Sequence, residues 1–487
     1  MIPPVLTPPP ADRVVRRRTR RDPRPRFKQD GSAQLDAVAG CPAAVVPPGH
    51  LAWTVRAQVE RLDVSTLEAT YSSLGRHGYH PRHVLGVWVY ASLVGMHHST
   101  KVARALKTDS AFRLLSGGHA ISEGKLRRFR RENRAFFETA IAQTVALAHR
   151  EGWLDTDALA VDSMRLRAHA STKEVRTLKR STQRLAELAA VDVATLDEKA
   201  RAEHEEKVLK HQTAVVRCEA QQRASIVTTN ESAALMKFPS GAALPGHRIT
   251  VTAAGVKERF VVGVLVDAAT NDYGKLGPAL EQARHVLTQA GVAPDLPLRA
   301  AADAGYAAAE DYAFADANRA WVDVLVPVAD GDSAAGTRKG CFGRERFTFD
   351  AGRVTCPAGK AMRGPYDNSD GRQKWLGVGC DQCELKPQCT PGRKRAIIVD
   401  VALERLRDAM RRRMQQPAAQ QRYNQRIATV EPVFASLQDS MAFRRASARH
   451  SASVVAEVLL KILAHNLCRL AAARKLSCVL CYFEPIF

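Results

Sequence analysis

The sequence predicts an α/β domain, in which helices flank a mixed sheet. An all-helical N-terminal segment precedes this domain. From residue 50 to about residue 152, apolar residues recur at helical spacing. From Asp157 onward, short apolar runs of strand length alternate with helical segments, which is typical of α/β folds. Two of these runs end in an aspartate, Asp162 and Asp303. These acids make the sheet the expected location of a functional site.

The N-terminal segment is predicted to be a series of short helices that ends in an arginine-rich one. Ser122 can cap that helix, whose sequence is EGKLRRFRRENR. Short helices ending in a basic helix resemble a helix-turn-helix, and the alternative is a solvated charged face. Because the helix has only Leu126 and Phe129 as apolar anchors, we favour DNA contact by Lys125, Arg127, Arg128, Arg130 and Arg131.

The strands that follow are predicted in a characteristic order. A first strand, 158–161, ends at Asp162, and a helical insertion at 172–228 separates it from two strands, 247–254 and 258–269. The series ends with a helix, a strand that ends at Asp303, another helix and a last strand. With the insertion removed, this is the order of an RNase H-like domain. In that fold the strands carrying Asp162 and Asp303 are neighbours.

Glu431 is a third acid in a distinctive context, RIATVEPVFASLQD. A proline is well placed at the first position of a helix, so Pro432 predicts that Glu431 lies close to an N-cap. Carboxylates from separate elements suit Mg²⁺, which takes oxygen ligands and shares itself with phosphates.

The domain organisation follows from these patterns. We expect a basic, disordered arm (1–49), a helical DNA-binding domain (50–152), a first part of the catalytic domain (153–330), a small Cys- and Gly-rich insertion (331–395), a helical completion of the catalytic domain (396–475) and a tail (476–487).

The net charge of +22 favours nucleic acid as the partner, well ahead of an anionic membrane surface. The longest apolar runs are too short to span a bilayer, and the N-terminus lacks the apolar core of a secretory signal. We therefore expect a cytoplasmic, DNA-associated protein without membrane contact.

Four of the ten cysteines lie in one short window, as Cys356-x(23)-Cys380-x(2)-Cys383-x(5)-Cys389. Four thiolates can complete a tetrahedral zinc site, which would stabilise a Gly-rich segment that lacks a large core. We slightly favour structural zinc over reduced, unligated thiols, and Cys341 is a spare candidate ligand.

The ordered set of motifs resembles the DDE transposases of bacterial insertion sequences, over roughly residues 50–475. Each motif alone is weak, but the set occurs in the right order. It comprises YHP at 79–81, Asp162 with Arg167 to Ser171, TND at 270–272, DAGY at 303–306, TVEPVF at 429–434, FRR at 443–445 and AHNL at 464–467.

The resemblance implies binding of terminal inverted repeats and metal-dependent DNA cleavage and strand transfer. Asp162, Asp303 and Glu431 would hold two Mg²⁺ ions, for which Mn²⁺ can substitute. Tyr423 and Arg426 would contact the scissile phosphate, whereas Gln438 stands where the family has a lysine. Double-stranded DNA, both transposon end and target, is the implied partner. The need to hold two ends implies a homodimer on DNA.

Three hypotheses therefore stay open at this point. The first is an active transposase, the second a degenerate copy that binds DNA without cutting it, and the third a hydrolytic nuclease of the same fold. Gln438 favours the second hypothesis, because a glutamine side chain carries no charge to bind a phosphate. The complete set of three acids argues against that hypothesis. Asp272 is equally a residue that supports the site or a plain turn residue.

Overall fold

The computed structural model describes residues 24–35, 40–230, 232–292, 297–328, 341–350, 352–368 and 372–481. Among the described residues, the helical N-terminal part contains eight helices, which are α1 (Pro42–Val45), α2 (Leu51–Glu60), α3 (Ser65–Glu68), α4 (Pro81–Leu93), α5 (Ser99–Thr108), α6 (Ser110–Leu115), α7 (Glu123–Glu132) and α8 (Arg134–Arg150). The N-caps follow ordinary helix chemistry. Asp109, for example, accepts hydrogen bonds from the backbone N–H groups of Ala111 and Phe112 at the start of α6.

The expected arm is shorter than the sequence suggested. Residues 1–23 lie outside the described residues, but Phe27 forms a backbone bridge with Gly78, and the Lys28 amide donates to the Gly78 carbonyl at 2.8 Å. Asp30 pairs with Arg56 of α2 at 2.9 Å. Helix α1 also falls inside the predicted arm. Residues 24–35 and 40–49 are thus held against the helical part, which corrects the prediction of disorder for them.

The central sheet has six strands, namely β1 (Leu159–Arg167), β4 (Ala234–Lys237), β5 (Ala243–Ala254), β6 (Phe260–Asp267), β7 (Leu298–Ala302) and β8 (Val322–Leu325). The spatial order is β4-β5-β1-β7-β8, and β6 pairs with the same edge of β5 as β4. Strands β1, β5 and β6 pair antiparallel, whereas β7 and β8 run parallel to β1. The sheet is therefore mixed, and β4 is an addition that the sequence did not predict.

Between β1 and β4 the chain forms a helical hairpin on a short two-stranded base. The base is β2 (Val175–Thr177) paired with β3 (Ser225–Val227), and the hairpin consists of α9 (Leu178–Ala189) and α10 (Glu198–Ala220). The leucine pattern of this segment predicted two helices. Much of their surface is exposed, including Leu209 and Val216.

Helices cover the sheet. They are α11 (Leu276–Gln289), α12 (Ala309–Ala317), α14 (Val401–Met414), α15 (Pro417–Ala435) and α16 (Ser451–Cys481), and α15 continues into a π-helical turn at Ser436–Ser440. One continuous apolar core joins the N-terminal helices, the sheet and α16. The last helix extends beyond its predicted end into the predicted tail. No described helix is both long and apolar enough to cross a bilayer.

A small separate unit lies between β8 and α14. It contains β9 (Thr348–Asp350) paired with β10 (Arg353–Thr355), a sheet of β11 (Arg363–Asp367), β12 (Gln373–Leu376) and β13 (Ala396–Val399), and the short α13 (Lys386–Cys389). Its own core is built from Phe347, Phe349, Val354, Met362, Trp375, Ile397 and Val399. This core is small, so the unit has little apolar burial to stabilise it.

Candidate active site

Two of the three predicted acids lie side by side where β1 and β7 run parallel. The register pairs Val161 with Ala302, so Asp162 and Asp303 are the next residues on the two neighbouring strands. Asp162 lies in the middle of β1, which continues to Arg167, and not at a strand end as the sequence suggested. Asp303 directly follows β7, and its Oδ1 accepts a hydrogen bond from the Gly305 amide at 2.9 Å.

Asp162 occupies a crowded electrostatic environment. Its side chain is 20% exposed, and burial raises its pKa to about 6. The hydrogen bond from the Ser163 amide and the charge of Arg426 oppose this rise, whereas Asp303 and Asp272 add to it. Neighbouring carboxylates that disfavour each other's ionisation form a site that a cation would stabilise.

Asp272 belongs to the same cluster, although its sequence context left it equal to a turn residue. A Cβ atom placed on Gly305 would lie 2.9 Å from Asp303 Oδ1 and 3.2 Å from Asp272 Oδ2, so these two carboxylates flank one glycine. A side chain at position 305 would crowd both acids, which explains the glycine of the DAGY motif.

A buried arginine fixes Asp272 in this position, and sequence reasoning missed it. Arg248 is 2% exposed and contacts Asp272 Oδ1 through Nη1. The Ser163 hydroxyl accepts from Arg248 at 2.7 Å and donates to Asp272 at 2.6 Å. Arg248 also donates to the carbonyl groups of Ala269 and Thr270. The available signal was a charged residue within the predicted strand HRITVTAA.

Helix α15 brings the predicted phosphate contacts to β1. Arg426 Nη1 lies 3.2 Å from Asp162 Oδ2, and its guanidinium carbon is 5.8 Å from the centre of the Tyr423 ring. Arg426 Nε is buried and has no hydrogen-bond partner among the described residues. One donor of this arginine is therefore unused by the described residues.

Glu431 differs from its prediction. It lies inside α15, which runs unbroken from Pro417 to Ala435, and not at a helix start. The helix passes through Pro432 because the Ala428 carbonyl, which loses its usual N–H donor there, accepts from Arg259 Nε at 2.9 Å. Glu431 is exposed, and its side chain forms no hydrogen bond or ion pair within the described residues. Its carboxylate is thus unpaired.

Gln438 lies in the π-helical turn, seven residues after Glu431. The π-helical turn changes the α-helical spacing after Ala435, so the position of Gln438 is set by its contact with β1. Its amide donates to Met164 Sδ at 3.6 Å. In the described parts of the chain, no three His, Cys, Asp or Glu side chains are gathered closely enough to hold a metal ion as they stand.

The basic helix α7 exposes most of its predicted DNA contacts. Lys125, Arg127, Arg128 and Arg131 are on the surface. Arg130 is buried instead. It donates to the His97 carbonyl at 2.8 Å and to Ser447 Oγ at 3.1 Å, and pairs with the buried Glu457 at 3.5 Å. Arg130 therefore joins α7 to the start of α16, which corrects its assignment to the DNA-binding surface.

The four predicted zinc ligands line one small cavity in the Cys-bearing unit. The cavity is bordered by Cys356, Cys380, Cys383 and Cys389, whereas Cys341 is not among its lining residues. Burial raises the pKa of Cys389, the charge of Arg395 opposes the rise, and the other three thiols add to it. The four thiols border a common space, but they do not lie close enough together to hold a metal ion as they stand.

Two protein-family models match the chain. A Transposase domain (DUF772) matches residues 41–132, and a Transposase DDE domain matches residues 355–471. No curated protein and no solved structure matches significantly. The first match covers α7, and the second covers the cysteine cavity, Arg426 and Glu431, but neither includes Asp162 or Asp303.

The DDE match implies an enzyme that processes nucleic acid. Together, the two matches support a DDE transposase of an insertion sequence, which confirms the family resemblance predicted from the sequence. Such enzymes act on DNA and typically use a divalent metal.

Proposed function

We propose that this transposase binds the terminal inverted repeats of its element and cleaves and joins DNA at Asp162, Asp303 and Glu431. The observation that carries the proposal is the β1–β7 register, which puts Asp162 and Asp303 next to each other with Arg426 against Asp162. The strand order, with β1 between an antiparallel ribbon and two parallel strands, supports an RNase H-like catalytic domain.

The donor set fits Mg²⁺, with Mn²⁺ as a substitute, because every candidate ligand is a carboxylate oxygen. The raised pKa of Asp162 reflects its burial and the nearby charges of Asp303 and Asp272. Two divalent ions bound at these acids would activate the attacking oxygen and stabilise the leaving one. Asp162 and Asp303 would hold these ions from β1 and β7. Glu431 would complete the set from α15 once its free carboxylate turns towards β1.

The surrounding residues position this set. Arg248 and Ser163 hold Asp272 beside the acids, and Asp272 in turn adds negative charge to the site. Arg426 would exchange part of its contact with Asp162 for a bidentate bond to the scissile phosphate, using the unpartnered Nε. Tyr306 is fully buried near these acids, and burial together with their charges raises its pKa, so it stays protonated.

The test is a cleavage assay on labelled DNA that carries the element's ends, with Mg²⁺. We expect cleavage and strand transfer by the native protein, and loss of at least a hundredfold in Asp162→Asn and Asp303→Asn, with DNA binding retained; removal of an electrostatic stabiliser of the transition state has a similar effect. The surface change Asp316→Asn is the matched control.

The outcomes separate the alternatives. Binding without cleavage by the native protein would identify a degenerate copy, which the uncharged Gln438 favours. Cleavage without joining would identify a hydrolytic nuclease. Cleavage that persists in Asp303→Asn would refute the proposed metal site. A second copy of the chain is expected on DNA, since two ends must be held, and the mass of the complex measures it.

We propose in addition that Cys356, Cys380, Cys383 and Cys389 bind a structural zinc ion. The support is that four thiols from separate segments border one cavity beside a small apolar core. Side-chain rotation would bring the sulfurs to the tetrahedral distances that zinc requires.

Metal analysis of the purified protein tests the zinc proposal. We expect one zinc per chain, lost in Cys380→Ser/Cys383→Ser and kept in Cys41→Ser, whose thiol lies near Ser32 and away from the cavity. Equal zinc content in all three proteins would refute the site.

A further inference from the structure

Four exposed arginines form a patch at the end of the strand that carries Asp162. We define the Arg167 patch as Arg167, Arg444, Arg445 and Arg449, all of which are exposed. Arg167 is the last residue of β1, and the other three follow the π-helical turn. The FRR motif of the sequence thus falls beside β1, although its position there was not predictable from spacing.

Backbone pairing fixes the patch. Arg167 and Arg445 form a parallel bridge, in which the Arg167 amide donates to the Arg444 carbonyl at 3.2 Å and the Ala446 amide donates to the Arg167 carbonyl at 2.8 Å. Phe443 and Ala446 are buried on either side of the two loop arginines. The arginines are therefore presented by a rigid support and not by a free loop.

The patch has little acidic compensation. Arg444 pairs with the exposed Asp439 and donates to the Gln438 carbonyl at 3.2 Å, while Arg445 donates to the Ala168 carbonyl at 3.3 Å. Among the described residues, Arg167 and Arg449 have no acidic partner. The positive charge of the patch also affects the pKa of the neighbouring His169. Burial lowers its pKa first, and Arg445 and Arg449 lower it further.

The patch is continuous with both proposed DNA contacts. Arg167 lies five residues after Asp162 on β1, a distance of about 16 Å at the rise of a strand. In the other direction, Arg130 of α7 donates to Ser447 within the same loop. Helix α7, which also carries the exposed Arg127 and Arg131, is therefore joined directly to this loop.

We propose that the Arg167 patch is a docking surface for the phosphates of duplex DNA, which leads the transposon end from α7 to the carboxylate site. This inference rests on the proposed function for its substrate, but the surface binds DNA whether or not the carboxylates cut. Exposed, weakly paired arginines on a rigid support match the regularly spaced phosphates of a duplex. At 3.4 Å per base pair, the patch would contact DNA about five base pairs from the cleavage point.

Salt-dependent binding tests the patch without metal or cleavage. The variant Arg167→Gln/Arg445→Gln is compared with Lys179→Gln/Arg180→Gln, which removes the same charge from exposed positions on α9. We expect the slope of log K against log salt to fall by about two for the patch variant and to stay unchanged for the control. Equal slopes in the two variants would overturn the proposal, because a general charge effect would then explain binding.

A photo-crosslinking side chain in place of Arg449 tests the position of the DNA. We expect crosslinks to the transposon-end duplex roughly five base pairs from the cleaved bond. Crosslinks scattered over the duplex would show that the patch has no fixed register, and their absence would show that DNA does not cross it. Loss of cleavage in Asp303→Asn with these crosslinks retained would leave this inference intact and concern the catalytic site alone.

Discussion

Asp272 shows how one residue's role depends on contacts that lie far away in the sequence. Its partners are Ser163 on β1 and Arg248 on β5, and only the pairing of these strands brings them together. The guanidinium of Arg248 is almost wholly removed from water, so its charge needs the carboxylate. The pair therefore supports the fold as well as the charge of the site.

We expect Asp272→Asn to lower the free energy of unfolding by about 3 kcal/mol, because it leaves a buried guanidinium without its counter-charge. The matched control is Asp267→Asn. Asp267 pairs with Lys275 at 2.8 Å, and both side chains are about one-third exposed, so this change should cost about 1 kcal/mol or less. Urea unfolding of both variants measures the difference. Equal losses would mean that Arg248 is satisfied by its carbonyl partners alone.

Sequence reasoning reached the acids of β1 and β7 because local patterns carry that information. An apolar run followed by Asp is visible in the chain, and the order of strands and helices makes the two runs neighbours. The role of Arg248 and the burial of Arg130 were not predictable, since both depend on partners more than a dozen residues away. Long-range contacts of single polar side chains leave no periodic signal.

Helix α15 illustrates the same limit at the level of an element. Proline favours the first turn of a helix, so TVEPVF predicts a helix start at Pro432. The structure has a helix interior there, because Arg259 on the β5–β6 turn supplies the donor that Pro432 lacks. The Arg259 carbonyl also accepts from His465 of α16 at 3.0 Å. One turn residue thus holds two helices and sets the position of Glu431.

We expect Arg259→Met to destabilise the protein by about 2 kcal/mol, since it leaves the Ala428 carbonyl without a donor. In a Pro432→Ala background the restored amide can serve that carbonyl, so the same change should cost about 1 kcal/mol less. Methionine keeps the strain of the positive φ angle at position 259 comparable. A double-mutant cycle from urea unfolding gives the coupling energy, and additive losses would rule out this account of the proline.

At the scale of the whole molecule, buried histidines make stability depend on pH. Burial lowers the pKa of His83, His97, His247 and His465 to about 4. His465 lies among Ser436, Arg259 and the core of α16. In the unfolded chain these groups titrate near their ordinary value of 6.5. The unfolded state therefore binds more protons between pH 6.5 and 4.

Because of this difference, we expect the free energy of unfolding to be fully developed above pH 6.5 and to fall as the pH is lowered towards 4. His465→Gln should reduce the slope in this window by up to about 1.4 kcal/mol per pH unit, which is the contribution of one titrating group. Unfolding curves from pH 4 to 7 measure it. A variant with the native slope would show that His465 does not titrate as a buried group.

The continuous core has a consequence for the order of events during synthesis. Helices α2, α4, α7 and α8 bury their apolar faces partly against α16, and Arg130 finds its ionic partner there. The ribosome produces α16 long after α7, with the whole sheet in between. Helix α7 can therefore reach its final position only after β1 and β7, the strands of Asp162 and Asp303, have been synthesised. Incomplete chains would lack the finished surface that we propose for DNA binding, so on this proposal they would compete poorly for the element's ends.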